Sequence, residues 1–177
     1  DNYSVDEDTL LIIGAPGILS NDMDPEGNPI AAVLQTGPSK GALNLLDNGS
    51  FTYVPNENAH GTDGFAYRAS DGLLASNLAF AAITINPVND APFAVAGPAQ
   101  KADVGSAAVL DGSGSYDIDG DPLTYAWEFV SKPAGSTAVL MNADTASPSF
   151  MVDVEGVYVI RLVVHDGTIN SLPSSVN

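Results

Sequence analysis

The chain has 177 residues, with 22 aspartates and glutamates against 5 lysines and arginines, giving a net charge of −17. Such a surface repels nucleic acid and anionic membranes, which both need basic patches, and it attracts cations. Hydrophobic residues make up 45% of the sequence, too many for a disordered acidic tail, and the absence of cysteine excludes disulfides and thiolate zinc sites.

No signal peptide opens the chain, which starts at Asp1 and reads as a fragment of something longer. The first apolar stretch, "TLLIIGAPGIL" (9–19), is expected to form at most a short turn before Gly17. "GSFTYVP" (49–55) alternates, with Phe51 and Tyr53 on one face, and "GFAYRAS" (64–70) does the same with Phe65, Tyr67 and Ala69. "FAAITINP" (80–87) closes the first half as a strand. The second half carries "LTYAWEFV" (123–130) and "GVYVIRLVVHD" (156–166). In the latter, Tyr158, Ile160, Leu162 and Val164 share one face, while Arg161 and His165 share the other. Period-2 runs separated by glycine and proline turns predict an all-β protein built of sandwiches. No segment carries a sustained helical stripe, and no apolar run approaches the roughly 20 residues that a membrane-spanning helix needs.

An internal repeat sets the domain count. The loop "NDMDPEGNP" (21–29) recurs in kind as "YDIDGDP" (116–122), and each is followed by an Asp-Gly turn, "SDGLLAS" (70–76) and "HDGTINS" (165–171). Asp24 and Asp71 are 47 residues apart, as are Asp119 and Asp166. One offset of 95 relates Asp22 to Asp117, Asp24 to Asp119, Asp71 to Asp166, Gly72 to Gly167 and Ser76 to Ser171. The chain is therefore expected to be two similar sandwiches in tandem, residues 1–90 and 91–177, joined in "NPVNDAPFA" (86–94). The last strand of the second reads as short or cut.

A lone Asp-x-Asp is usually a solvated turn. Here each pair is coupled at one distance to a second acidic turn. In an Ig-like order of strands, the loop before the Trp127 strand and the turn at Asp166 lie at one end of the sandwich, with the incoming linker. Asp117, Asp119 and Asp166 then converge with Asn89 or Asp90. Two carboxylates about 4 Å apart repel by about 4 kcal/mol at an effective dielectric of about 20, and a hard cation reverses that sign. Oxygen-only ligands in loops suit Ca²⁺ better than Zn²⁺ or Mg²⁺. An EF-hand is rejected: "DIDGDPLTYAWE" (117–128) has Pro122 where the hand needs glycine, "DMDPEGNPIAAV" (22–33) ends on Val33, and neither has flanking helices. Across the repeat Asp121 matches only Glu26 and Glu128 matches Val33, so both fall out of the set. Neither His60 nor His165 lies in a nucleophile motif, and His165 reads as an exposed bystander. A glycosidase pair finds no support in a small repeated unit. Trp127 reads as core, whereas Tyr116 and Tyr3 are looser candidates for exposed, sugar-stacking aromatics.

With those features in place, residues 1–90, through "YSVDEDTLLI", "GILSNDMDPEGNPI", "GSFTYVPNENAHGTDGFAYRASDG" and "ITINPVNDAP", resemble bacterial cadherin-like tandem repeats of large secreted adhesins. Residues 91–177, through "AGPAQKADVGSAAVLDGSGSYDIDGDPLTYAWEFVSKPAGS" and "SFMVDVEGVYVIRLVVHDG", resemble a PKD-type domain. The resemblance implies two Ig-like Greek-key β-sandwiches of an extracellular, non-catalytic surface protein that binds Ca²⁺ at its domain junction. It implies ligands at Asn89, Asp90, Asp117, Asp119 and Asp166, with Ser115 weaker, and from the preceding domain Glu7 and Asp63. Asp22, Asp24 and Asp71 match for the first domain, whose upstream linker is missing, so that site is expected to be incomplete or weak. The implied partners are calcium and, beyond it, a polysaccharide or another adhesin copy. A polysaccharide-binding accessory module of a secreted hydrolase is the alternative.

Overall fold

The computed structural model describes all 177 residues, and they fall into two compact units, Asp1–Val88 and Asn89–Asn177. Both are Ig-like β-sandwiches. In unit 1 the strands are β1 (Asn2–Asp6), β2 (Leu11–Ile13), β3 (Ala31–Thr36), β4 (Gly41–Leu45), β5 (Phe51–Pro55), β6 (Gly61–Ser70) and β7 (Ala79–Asn86). They form two sheets, ordered β1-β7-β6-β3 and β2-β5-β4. The alternation that marks these runs in the sequence is what fills the space between the sheets. Phe51 and Tyr53 of β5 meet Phe65 and Tyr67 of β6 and Ile83 and Ile85 of β7, all essentially without solvent contact. Phe51 packs edge-on against Phe65, with ring centroids 5.3 Å apart, and Tyr3 packs edge-on against Phe51 at 5.0 Å. Tyr3 is thus partly buried and tied into the core margin.

The "TLLIIGAPGIL" stretch differs from its expected short turn. Residues 11–13 become β2, because Leu11, Ile12 and Ile13 find backbone partners in Tyr53, Thr52 and Phe51. The turn follows as a 3-10 turn at Gly17–Leu19, which pushes Ile18 and Leu19 into the core. Gly17 is required there: a Cβ on it would lie 2.0 Å from the Gly49 carbonyl oxygen, which accepts the Ile18 N–H at 3.0 Å.

Unit 2 contains β8 (Ala107–Val109), β9 (Thr124–Ser131), β10 (Ser149–Met151), β11 (Val159–His165) and β12 (Ser174–Val176). Its sheets are β12-β11-β9 and β10-β8. Trp127, Phe150, Ile160, Leu162 and Val164 are buried together, with the Trp127 ring N–H donating to the Thr145 carbonyl at 3.0 Å. The 95-residue offset holds in the backbone as well. It carries Ala32 of β3 onto Trp127 of β9, and their N–H groups donate to the Asp47 and Ala143 carbonyls at 2.8 and 2.9 Å, acceptors that differ from the offset by one residue. It carries β6 onto β11 and β7 onto β12. No helix is long and apolar enough to cross a membrane.

Candidate functional site

Antiparallel pairing decides which loops meet. Thr124, at the start of β9, faces His165, at the end of β11. The loop before β9 and the turn after β11 therefore share one end of unit 2, and the first residues of the unit join them there. Asp166 is 7% exposed, and its Oδ1 accepts the N–H groups of Thr168 and Ile169 at 2.6 and 2.7 Å, closing the turn. Its Oδ2 accepts Asn89 Nδ2 at 2.9 Å, and the same amide nitrogen donates to the Asp90 carbonyl at 2.9 Å. The Asp90 N–H then donates to Asp119 Oδ2 at 2.8 Å, and the Asp119 N–H to Asp117 Oδ1 at 2.8 Å. One run of hydrogen bonds thus connects all five residues that the sequence singled out in this half. Ser115 stays outside it; its hydroxyl oxygen accepts the Val95 N–H at 3.0 Å. His165 serves the turn, with Nδ1 accepting the Gly167 N–H at 2.8 Å. Glu128 is spoken for by Arg161 on the neighbouring strand.

The electrostatics of this end are one-sided. The Asp166 carboxyl is pushed down to about 2, first by the Asn89 amide and then by the Ile169 and Thr168 N–H groups, with His165 adding a smaller share against the cost of desolvation. Asp117 Oδ2 is buried with no hydrogen-bond partner. A buried, unmet carboxylate oxygen is a costly arrangement, of order 1–3 kcal/mol or more. No three acidic or histidine side chains of the protein close into a ready-made metal cage. The donor set nonetheless suits a hard cation: carboxylates, one backbone carbonyl and one amide, oxygens on short loops. A half-turn of the Asn89 amide presents Oδ1 where Nδ2 now bridges Asp166 and Asp90.

Unit 1 repeats the turn geometry. Asp71 Oδ1 accepts the N–H groups of Leu73 and Leu74 at 2.8 and 2.7 Å, the counterpart of the Asp166 turn. Those bonds, that of Leu74 first, hold its carboxyl below the usual range. Asp24 Oδ1 accepts the backbone N–H groups of Glu26 and Asn28 at 3.0 and 2.9 Å and the Asn28 side chain at 3.2 Å. Asp22 Oδ2 accepts the Tyr67 hydroxyl at 3.2 Å. Each aspartate is held separately, with no run of bonds linking the three.

Glu7 and Asp63 sit elsewhere in unit 1, toward the end where β7 finishes. Glu7 is 3% exposed, and its Oε1 accepts the Val88 N–H at 2.6 Å. Asp63 has both oxygens occupied. Oδ1 accepts from the Ser39 N–H and hydroxyl at 2.8 and 3.1 Å, and Oδ2 from the Lys40 N–H at 2.8 Å and the Tyr53 hydroxyl at 2.7 Å. Burial works to raise its pKa, but the Ser39, Tyr53, Lys40 and Gly64 donors together bring it below the usual carboxylate value. Asp63 thereby pins the turn before β4. Unit 2 has a matching pin that sequence reasoning missed: Asp153 accepts from Ser136, Thr137 and Tyr158, and the Tyr158 hydroxyl also donates to the Val154 carbonyl at 2.8 Å. The repeat offset, which lays Tyr158 over Asp63, was the available signal.

Phe93 and Tyr116 exchange two backbone hydrogen bonds, at 2.8 and 3.1 Å, and stack their rings at 4.9 Å with 13° between planes. They are 53% and 50% exposed, one residue from the Asp117 loop.

Comparison with known proteins agrees with this division. Residues 1–87 match the family model of the bacterial cadherin-like domain, and residues 89–174 match that of the PKD domain. Two curated relatives come from Dictyostelium discoideum. "Integrin beta-like protein E" is 32% identical over 51% of this chain, and "Integrin beta-like protein C" is 28% identical over 68% of it. The chain spans only 5% and 7% of their lengths. Among solved structures, human CDH23 EC21-23 aligns with 99% of this chain and 65% of its own, with a TM-score of 0.54 and 13% identity, a likeness of fold alone.

Proposed function

The chain being a bacterial cadherin-like domain followed by a PKD domain, we propose that it is a non-catalytic, calcium-binding structural and adhesive module of a large extracellular protein. Domains of both kinds are typically non-catalytic parts of extracellular proteins. The observation that supports calcium most directly is the buried, unpartnered Asp117 Oδ2 within the run Asp117, Asp119, Asp90, Asn89 and Asp166. Asn89, Asp90, Asp117, Asp119 and Asp166 hold the ion in this reading. When bound, the ion supplies the positive charge that no lysine or arginine brings there.

The proposed mechanism is linkage. Glu7 fastens residue 88 and the run fastens residues 89 and 90, so an ion that locks the run removes hinge freedom from the connecting segment. It stabilises the folded state by RT ln(1 + [L]/Kd), about 2.7 kcal/mol at a hundredfold excess over Kd. Extracellular modules work with weak sites, on the order of 10⁻⁴ to 10⁻³ M. Asp63, saturated by its own chain, is left to the fold. The test is a thermal melt and a small-angle scattering profile in calcium and in chelator. Superimposable curves in the two conditions sink the reading.

A second reading, a polysaccharide-binding accessory module, is favoured by the half-exposed Phe93–Tyr116 stack. Exposed aromatic faces receive the apolar faces of sugar rings. Retention on insoluble polysaccharide that disappears in Tyr116→Ala supports it; no retention of the wild type rejects it.

A further inference from the structure

The two units part company at a single oxygen. Asp22 and Asp117 occupy one position of the repeat, yet Asp22 Oδ2 accepts a hydroxyl and Asp117 Oδ2 is buried with no partner. The hydroxyl belongs to Tyr67, and the offset of 95 puts Leu162 in its place in unit 2. Leu162 is fully buried and has no polar side-chain atom. Tyr67 is 1% exposed, so its ring is fixed by the core and its oxygen has no freedom to turn to solvent. Around that oxygen stand the Ile18 carbonyl at 2.8 Å, Asp1 Oδ2 at 2.8 Å and Asp22 Oδ2 at 3.2 Å. The Ile18 carbonyl is itself held in position by the tight Gly17–Gly49 approach. One hydroxyl proton is shared among three acceptors, so the positive end of its dipole lies where two carboxylates converge. Burial, and then the Asp22 charge, push the Tyr67 pKa up to about 12, so the group stays a donor at any physiological pH.

We propose that Tyr67 is a positioning residue that takes the place of a cation in unit 1, holding the Asp22 loop by an internal hydroxyl while the equivalent Asp117 loop depends on a bound divalent ion. This rests on the calcium reading of unit 2. It makes the residue at this strand position, together with the incoming segment, a determinant of which repeat recruits a cation: a tyrosine closes the loop from within, and a leucine leaves a bare carboxylate oxygen for an ion to meet.

The experiment follows backbone amide shifts of the full chain titrated with CaCl₂ and with chelator. In the wild type, amides of residues 117–121 and 166–169 move with calcium while those of 22–28 stay in place. In Tyr67→Phe, amides of residues 22–28 gain a calcium response, and adding Asp22→Asn abolishes it. A merely structural tyrosine creates no such response. Two results overturn the proposal: wild-type amides at 22–28 moving together with those at 117–121, or a folded Tyr67→Phe chain whose 22–28 amides stay silent. If residues 117–121 are silent as well, the calcium reading of unit 2 has failed by itself. The tether is then judged in chelator by hydrogen exchange of residues 18–22. Exchange accelerated about fivefold or more in Tyr67→Phe supports the tether, and unchanged exchange overturns it.

Discussion

In unit 1 the aspartates at the β3 end are held one at a time: Asp22 by a tyrosine hydroxyl, Asp24 by its own turn, Asp71 by the two N–H groups that follow it. In unit 2 the equivalent aspartates are strung into a single run that draws in Asn89 and Asp90. The turn after β6 and the turn after β11 are nearly superimposable in their bonding, so the difference does not come from the turns. It comes from what enters beside them. Unit 2 has an incoming segment whose backbone donates into the acidic loop, and its strand β11 supplies leucine where β6 supplies tyrosine. Two copies of one acidic motif thus meet different surroundings and acquire different needs for positive charge.

The bluntest way to break the comparison is through the cores. Phe65 and Ile160 are equivalent by the offset and both lie fully inside their units. Phe65→Ala is expected to cost about 3–5 kcal/mol. Trp127 is the one tryptophan and lies in unit 2, so its fluorescence reports that unit. Phe65→Ala should lower the unfolding midpoint seen by far-ultraviolet circular dichroism while leaving the Trp127 transition in place; a Trp127 transition that falls equally shows the units unfolding as one.

Next in size is the calcium term. Asp117→Asn should remove the calcium-dependent stabilisation, about 2.7 kcal/mol at a hundredfold excess over Kd, and leave the chelator melt unchanged or slightly improved. A variant that keeps the full calcium response shows that the ion binds elsewhere.

The pins come third. Asp63→Asn weakens the hydrogen bonds from Ser39, Lys40 and the buried Tyr53 hydroxyl, and should cost unit 1 about 1–3 kcal/mol at neutral pH. Acid probes both units. Asp63 and Asp166 have carboxyls lowered in the folded state, Asp166 from 3.8 to about 2. A lowered group contributes stability that is complete above the unfolded pKa and is lost as pH falls through the folded value. Stability should therefore decline between about pH 4 and pH 2, and Asp166→Asn should flatten the Trp127-monitored part of that decline. The smallest effect is at the stack: Tyr116→Ala should cost about 0.5–1.5 kcal/mol of aromatic pairing, read from the same Trp127 melt.

Much of this was legible in the sequence because strands write their burial as alternation. Phe51, Tyr53, Phe65, Tyr67, Ile160, Leu162 and Val164 each point inward as their spacing implies. The Asp71 and Asp166 turns were legible because their bonds are local, two and three residues ahead. The roles of Tyr67 and Asp63 were not. Alternation marks Tyr67 as core but says nothing of a hydroxyl whose acceptor lies 45 residues away. Asp63 stands in a turn-like "GTDGF" and is implied by the resemblance as a calcium ligand, yet its donors come from residues 39, 40 and 53, across the sandwich. Long-range polar pairing leaves no period in a sequence. Only the repeat hints at it, by setting Asp63 over Tyr158 and so exposing a swap of carboxylate for hydroxyl at one structural post.

The parallel pairing of β1 with β7 has a mechanical consequence. Asn2 lies beside Ala82 and Asp6 beside Asn86, so the unit's first and last strands run side by side in the same direction. Tension applied at the two ends of unit 1 pulls these strands along their common axis in opposite senses. Every rung between them is then loaded at once, in shear, and none can open before the others as the teeth of a zip do. A chain strung from such units resists stretching through its first few residues, whatever its loops hold.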